Sequence, residues 1–233
     1  MLKGKLYLIP TPLGENAVHT IPLYVIEKIH KLDFFIAERA KTARAFIKTT
    51  EPKKAFADLT FFELNKRTTP EEIATFLKPA EIGNDMGLLS EAGCPGVADP
   101  GAEIVKMAHE KGIEVIPFVG PSSILLALMS SGMNGQGFSF QGYLSAKKPE
   151  LSKDLNRLEQ LSRKYRQTQI FIETPYRNDR MLKFLVKNLN PNIKLCVAKD
   201  ITGDEESITT RRVSDWKNLD FQIGKIPTIF LIG

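Results

Sequence analysis

The chain has 233 residues, 42% of them hydrophobic and 25% charged, the balance of an ordinary soluble globular protein with one large or two small domains. No apolar run reaches the roughly 18 residues of a membrane span, which excludes an integral membrane protein of the helical kind. The formal net charge of +5 favours an anionic partner such as nucleic acid, and the two cysteines, Cys94 and Cys196, fit reduced thiols in a cytoplasmic protein.

The opening MLKGKLYLIPTPLG has a short apolar run cut by prolines and lacks a small-residue cleavage site. It is expected to be a first strand over residues 5–9, not a signal peptide. The turn Pro10-Thr11-Pro12-Leu13-Gly14 follows, and its prolines exclude a helix there. Residues 22–30 (PLYVIEKIH) place Leu23, Val25, Ile26 and Ile29 at helical spacing behind a proline. Residues 33–37 (DFFIA) read as a buried strand, with Glu38 and Arg39 at its carboxyl end, where open α/β sheets place functional groups. A short basic helix is expected over residues 41–49 and a short strand or loop over residues 61–64. Thr68-Thr69-Pro70-Glu71-Glu72 is a helix start, with a threonine cap, a proline at the first position and acids in the first turn. That helix is expected to run to about Leu77.

Residues 85–89 are the next strand. They lead into Ser90–Gly101, a loop of small residues rich in glycine and proline, then a helix over 102–111 and an apolar strand over 113–119. A second glycine-proline turn, Gly120-Pro121-Ser122-Ser123, opens a small-residue helix that ends at Gly132. Strands are expected at 138–143, 168–172, 194–200, 206–211 and 226–232, with helices at 149–164 and 179–189 and a short one from Val213. Strands and helices alternate throughout, so the fold class is α/β, with a boundary near residues 117–121 that divides the chain into 1–118 and 119–233.

Loops of small residues, each between a strand and a helix, are how an open α/β sheet builds a ligand crevice, because the ligand can approach the backbone closely. The crevice has no dinucleotide signature GxGxxG and no phosphate loop GxxxxGK[ST]. There is also no GxSxG elbow, and His19, His30 and His109 are scattered without metal spacing, so no metal site is expected.

Four stretches carry a resemblance to a known family: LYLIPTPLG (6–14), SEAGCPGVADPG (90–101), GPSSILLAL (120–128) and FIETPYR (171–177). In their order and spacing the chain resembles the tetrapyrrole methylase superfamily of S-adenosylmethionine-dependent methyltransferases. Within it, the chain is most similar to the branch that methylates a cytidine 2′-oxygen of 16S rRNA. The resemblance implies two α/β domains of the tetrapyrrole methylase type with the cofactor cleft between them, S-adenosyl-L-methionine as cofactor, a homodimer, and ribosomal RNA or the small ribosomal subunit as partner. The cofactor-binding positions it implies are Glu91, Gly93, Cys94, Val97, Ser122, Ser123, Phe171, Ala198 and Thr228, the last beside Pro227. Pro12, Gly14, Arg39 and Arg177 fall on the substrate side. The sequence departs from the branch pattern at Glu91 (usually Asp), at Cys94 (usually Thr), and at Ala37–Lys41, which reads AERAK where the branch has AEDTR. The branch typically continues past the final strand, whereas this sequence stops at Gly233.

Methyl transfer from a sulfonium is an in-line displacement that depends chiefly on positioning. A hydroxyl nucleophile must also lose its proton, and Glu38 is the candidate base, the alternative being a surface ion pair with Arg39. Glu91 either bonds the cofactor or braces its own loop, and Ser122 and Ser123 either cap the following helix or bond the cofactor. Arg177 and Arg180, with Lys147 and Lys148, either grip phosphates or form a solvated face. Tyr176 either stacks on a base or packs, and Trp216 belongs to core or interface. Two other functions stay open: methylation of a tetrapyrrole or a protein side chain, and a catalytically degenerate member that binds RNA or cofactor without turnover.

Overall fold

In the computed structural model, which describes residues 2–233, the chain divides into two compact units, Met1–Ser122 and Ser123–Gly233. The seam lies a few residues beyond the expected 118/119, so the turn Gly120-Pro121-Ser122 stays with the first unit.

The first unit is built on five strands: β1 (Lys5–Ile9), β2 (Phe34–Ala37), β3 (Thr60–Glu63), β4 (Met86–Leu89) and β5 (Glu114–Pro117). Their order is β3-β2-β4-β1-β5, and every neighbouring pair is parallel. The helices are α1 (Leu23–Ile29), α2 (Ala40–Thr49), α3 (Pro70–Ile73), α4 (Lys78–Glu81) and α5 (Gly101–Glu110). Parallel strands covered on both faces must be apolar on both, which is why β2 and β4 read as unbroken apolar runs. Phe35 and Leu89 enter a core with Val25 and Ile29 of α1 and Ile47 of α2. Their neighbours Ile36 and Leu88 enter a second core with Ile104 and Ala108 of α5. That alternation is the period of two that a strand imposes.

The helix expected from Thr68 to Leu77 is instead two short ones. Thr69 caps α3 in a full capping box with Glu72, as its sequence signature requires. Past Ile73 the bonding tightens to three-residue spacing, with Thr75 N–H donating to Glu72 O and Phe76 N–H to Ile73 O, and α4 restarts at Lys78 with a proline in its first turn.

The second unit holds β6 (Phe138–Tyr143), β7 (Thr168–Ile172), β8 (Lys194–Lys199), β9 (Ser207–Arg212) and β10 (Thr228–Ile232) in the order β6-β7-β10-β8-β9. Of the neighbouring pairs only β6–β7 is parallel, and β10 is antiparallel to both its neighbours. Helices α7 (Lys148–Tyr165), α8 (Asn178–Asn188) and α9 (Val213–Trp216) complete one core around Phe171, Val197 and Phe230, and α6 (Ser123–Ser131) packs against β8, β9 and β10. Trp216 is a core residue: it is 3% exposed and its indole N–H donates to Leu195 O at 3.0 Å.

Candidate active site

The site grows from the topology of the first sheet. β1 and β4 are neighbours, yet β1 leads to α1 on one face and β4 leads to α5 on the other. Loops that part to opposite faces leave a crevice at the strand carboxyl ends, the place where open α/β sheets bind ligands. Here the crevice is tied across its base. Thr11 N–H donates to Gly93 O and Gly93 N–H donates to Thr11 O, both at 3.0 Å, and the Ser90 hydroxyl donates to Gly93 O at 2.7 Å.

Two glycines are required for this closeness. Gly93 has φ +76°, and a Cβ there would stand 3.1 Å from Leu13 Cδ2. A Cβ on Gly120 would stand 2.1 Å from Pro10 Cγ, well inside contact distance. The turns at Pro10, Gly93 and Gly120 therefore form one tightly packed group, to which the Cys94 thiol adds a contact with Pro121 O at 3.5 Å. Asp99 fastens the loop to the start of α5, accepting from Gly96 N–H at 2.7 Å and Gly101 N–H at 2.8 Å. Beside this group lies an open cleft of about 660 Å³, lined by Pro12, Gly14, Thr42, Phe46, Ser90 and Glu91 among others. Its volume lies in the range of small-molecule sites.

The electrostatics of the crevice are acidic. The Glu38 carboxyl is held above the ordinary carboxylate range, first by burial and then by the charges of Asp99 and Glu91, with Arg39 pulling the other way. Burial likewise raises Asp99, against its two backbone hydrogen bonds, and raises the Cys94 thiol. Glu91 is anchored by the Thr42 hydroxyl, which donates to its Oε1 at 2.6 Å. Glu63, at the end of β3, accepts from Ala40 N–H at 2.8 Å and so caps α2 just after Glu38 and Arg39. Among the described residues, no group of three or more His, Cys, Asp or Glu is placed to hold a metal ion.

The structure gathers the residues named from sequence unevenly. In the first unit, Pro12, Gly14 and Glu91 line the cleft, Glu38 and Arg39 follow β2, and Gly93 and Cys94 lie within the loop whose exposed tip is Val97. Ser122 closes this unit. In the second unit, Ser123 is the first residue of α6. Phe171 is fully buried in the core and stacked on Phe230 at 5.7 Å, and Ala198 is fully buried in the strand opposite Ile229. Thr228 is buried at the start of β10, its hydroxyl donating to Ile226 O. Arg177 pairs with the buried Glu173, its Nη2 at 2.6 and 2.5 Å from the two carboxylate oxygens, so it is not part of a merely solvated face. Sequence reasoning passed over Asp99 and Thr42. Asp before Pro-Gly at a helix start is a readable turn signal, whereas nothing in the sequence ties Thr42 to Glu91, 49 positions away.

A two-unit α/β protein with a glycine-bordered crevice at the switch point of a parallel sheet, and with no phosphate loop, is the class these features define. The family model described as Tetrapyrrole (Corrin/Porphyrin) Methylases matches residues 5–216. Ribosomal RNA small subunit methyltransferase I of Bacillus subtilis (strain 168) is 31% identical over 220 residues, covering 93% of this chain and 71% of that protein. The protein of the same name from Leptospira biflexa is 28% identical over 206 residues, covering 88% and 81%. Among solved structures, the methyltransferase CobJ superposes with a TM-score of 0.65 at 18% identity, covering 99% of this chain and 94% of that one. Uroporphyrin-III C-methyl transferase from Thermus thermophilus, complexed with S-adenyl homocysteine, does so with a TM-score of 0.57 at 15% identity, covering 99% and 97%. The chain belongs to the tetrapyrrole methylase family and is a methyltransferase.

Proposed function

We propose that this methyltransferase acts on RNA of the small ribosomal subunit, transferring a methyl group to a ribose 2′-hydroxyl of a cytidine. The observation that carries the reading is the likeness to rRNA small subunit methyltransferases I, 28–31% identical over about nine-tenths of the chain.

The methyl donor is S-adenosylmethionine, and the first unit fits it. A sulfonium carrying an amino group is a cation without phosphate, and the crevice sets Asp99 and Glu91 close enough for their charges to act on Glu38, with no phosphate loop present. When bound, the donor supplies an electrophilic methyl carbon whose bond to sulfur breaks as the attacking oxygen bonds to it. The protein's part is to hold and orient. Gly93 allows close approach of the loop backbone, and Glu91, fixed by Thr42, faces the cleft. Cys94, Val97 and Ser122 complete the cofactor side of this unit in the proposal, and Pro12, Gly14 and Arg39 the substrate side.

Glu38 takes the proton that the hydroxyl loses. A carboxylate raised by burial and by neighbouring acids is a better proton acceptor than one in water, which suits it to this role without a histidine.

The test is transfer of tritiated methyl from S-adenosylmethionine to small ribosomal subunits from a strain lacking this protein, followed by nucleoside analysis. The expected product is 2′-O-methylcytidine. Label found in another nucleoside overturns the atom assigned, and absence of transfer overturns the substrate.

A further inference from the structure

The net positive charge of the chain comes from its second half. Residues 123–233 carry 17 Lys and Arg against 11 Asp and Glu, while residues 1–122 carry 15 against 16. Within the second unit, one end of the sheet combines this charge with exposed aromatic rings. Tyr176 is 80% exposed, in the single 3-10 turn (Pro175–Arg177) that joins β7 to α8.

The turn that presents Tyr176 is held on both sides. Before it, the buried Glu173 accepts from Thr174 N–H at 2.6 Å and from Arg177 Nη2 at two oxygens. After it, Asp179 accepts from Ile223 N–H at 2.8 Å and Gly224 N–H at 3.1 Å, and Asn178 Nδ2 donates to Ile226 O at 2.7 Å. These bonds fix the loop that carries Lys225, whose ammonium lies 5.2 Å from the Tyr176 ring centroid. An exposed ring on a braced turn loses little freedom when it is covered. At the same end of the sheet, the register shift between Phe140 and Tyr143 disturbs the β6 ladder, and Tyr143 is 61% exposed. Close by, Lys148 and Arg180 join Arg177 around a small hollow at the starts of α7 and α8, two helices long enough to add positive field there.

We infer that Tyr176 is a stacking platform for an unstacked nucleobase of single-stranded RNA, with Lys225 at its edge and with Lys148 and Arg180 taking the neighbouring phosphates. The inference rests on the RNA reading above and gives that substrate a point of attachment in the second unit. A flat exposed aromatic beside fixed cations fits a splayed base and its backbone, whereas a base inside a duplex offers no free face to cover the ring.

The test measures binding of a short fluorescently labelled oligouridine, with a duplex RNA as control and with calorimetry of S-adenosylhomocysteine alongside. Tyr176→Ala is expected to weaken oligouridine binding about tenfold, Tyr176→Phe to retain it, and cofactor affinity to stay unchanged in both. Lys148→Ala with Arg180→Ala is expected to flatten the salt dependence of binding, by about 0.7 in the log–log slope for each phosphate no longer neutralised. If the wild type methylates subunits and Tyr176→Ala binds oligouridine as tightly as the wild type does, the platform is overturned and the RNA reading stands. Wild-type protein that neither binds RNA nor methylates subunits overturns both.

Discussion

The two units are nearly equal in length and both are five-stranded, yet they differ in topology and in charge. The first has an all-parallel sheet, a switch-point crevice, a Glu38 carboxyl raised by burial and by the charges of Asp99 and Glu91, and almost no net charge. The second has a mixed sheet, excess positive charge, and exposed tyrosines where the first has a glycine loop. Parallel strands leave their carboxyl ends together, so their loops can converge on one small ligand. The antiparallel β10 breaks that convergence and leaves an end surface better suited to an extended anionic polymer. The difference teaches that topology and charge together can suggest separate roles for the two halves of a chain, here the proposed chemistry in the first and the proposed RNA grip in the second.

The largest expected effect breaks the chemistry and leaves the grip. Glu38→Gln keeps the shape and removes the proton acceptor, so turnover should fall by about a hundredfold or more, with RNA binding unchanged. The same change should stabilise the fold at neutral pH. The folded-state value of Glu38 is raised, so the folded protein holds this proton more tightly than the unfolded chain. Its contribution to stability is therefore present at acid pH and is lost as pH rises through the raised value. The melting temperature of the variant should exceed that of the wild type at neutral pH, and the gap should close on acidification toward the ordinary carboxylate range. A wild-type rate in this variant would remove Glu38 from the mechanism.

A smaller effect tests how the crevice is closed. Gly120→Ala forces a methyl group into the Pro10 ring, and overpacking of this kind costs about 1–3 kcal/mol. Thermal melting should shift down, with cofactor affinity falling as the turns separate. An unchanged melt would mean that the turns at Pro10 and Gly120 do not constrain each other. The smallest effect sharpens the cofactor side. Thr42→Val deletes the hydroxyl that holds Glu91, a bond worth about 1 kcal/mol, so S-adenosylhomocysteine should bind about fivefold more weakly with the fold intact. Unaltered binding would show Glu91 to be a brace of its own loop alone.

The first unit was the more legible half in sequence. Its strands are short apolar runs closed by glycine and proline, and a parallel sheet buried on both faces leaves that imprint at β2 and β4. The capping box at Thr69 was equally readable, but the break after Ile73 was not, because tightening of a helical turn depends on how Phe76 and Leu77 reach the core. Glu38, Glu91 and the loop from Ser90 could be singled out as candidates, while their mutual influence could not, since residues after β2 and after β4 meet only through strand order. In the second unit the strands were readable individually. The antiparallel insertion of β10 was not, because the pairing of a final strand depends on sequence-distant partners. The side chains of Phe171 and Ala198 are buried in the second unit's interior, a burial that their apolar strands already indicate. For Tyr176 the sequence leaves stacking and packing open, and its exposure excludes packing.

The most direct test of a division between chemistry and grip is steady-state methyl transfer to small ribosomal subunits by the wild type, Glu38→Gln and Tyr176→Ala, resolved into kcat and KM for the RNA. The expected result is a fall in kcat with KM unmoved for Glu38→Gln, and a rise in KM with kcat retained for Tyr176→Ala. If both variants change the same constant by the same factor, the division is contradicted.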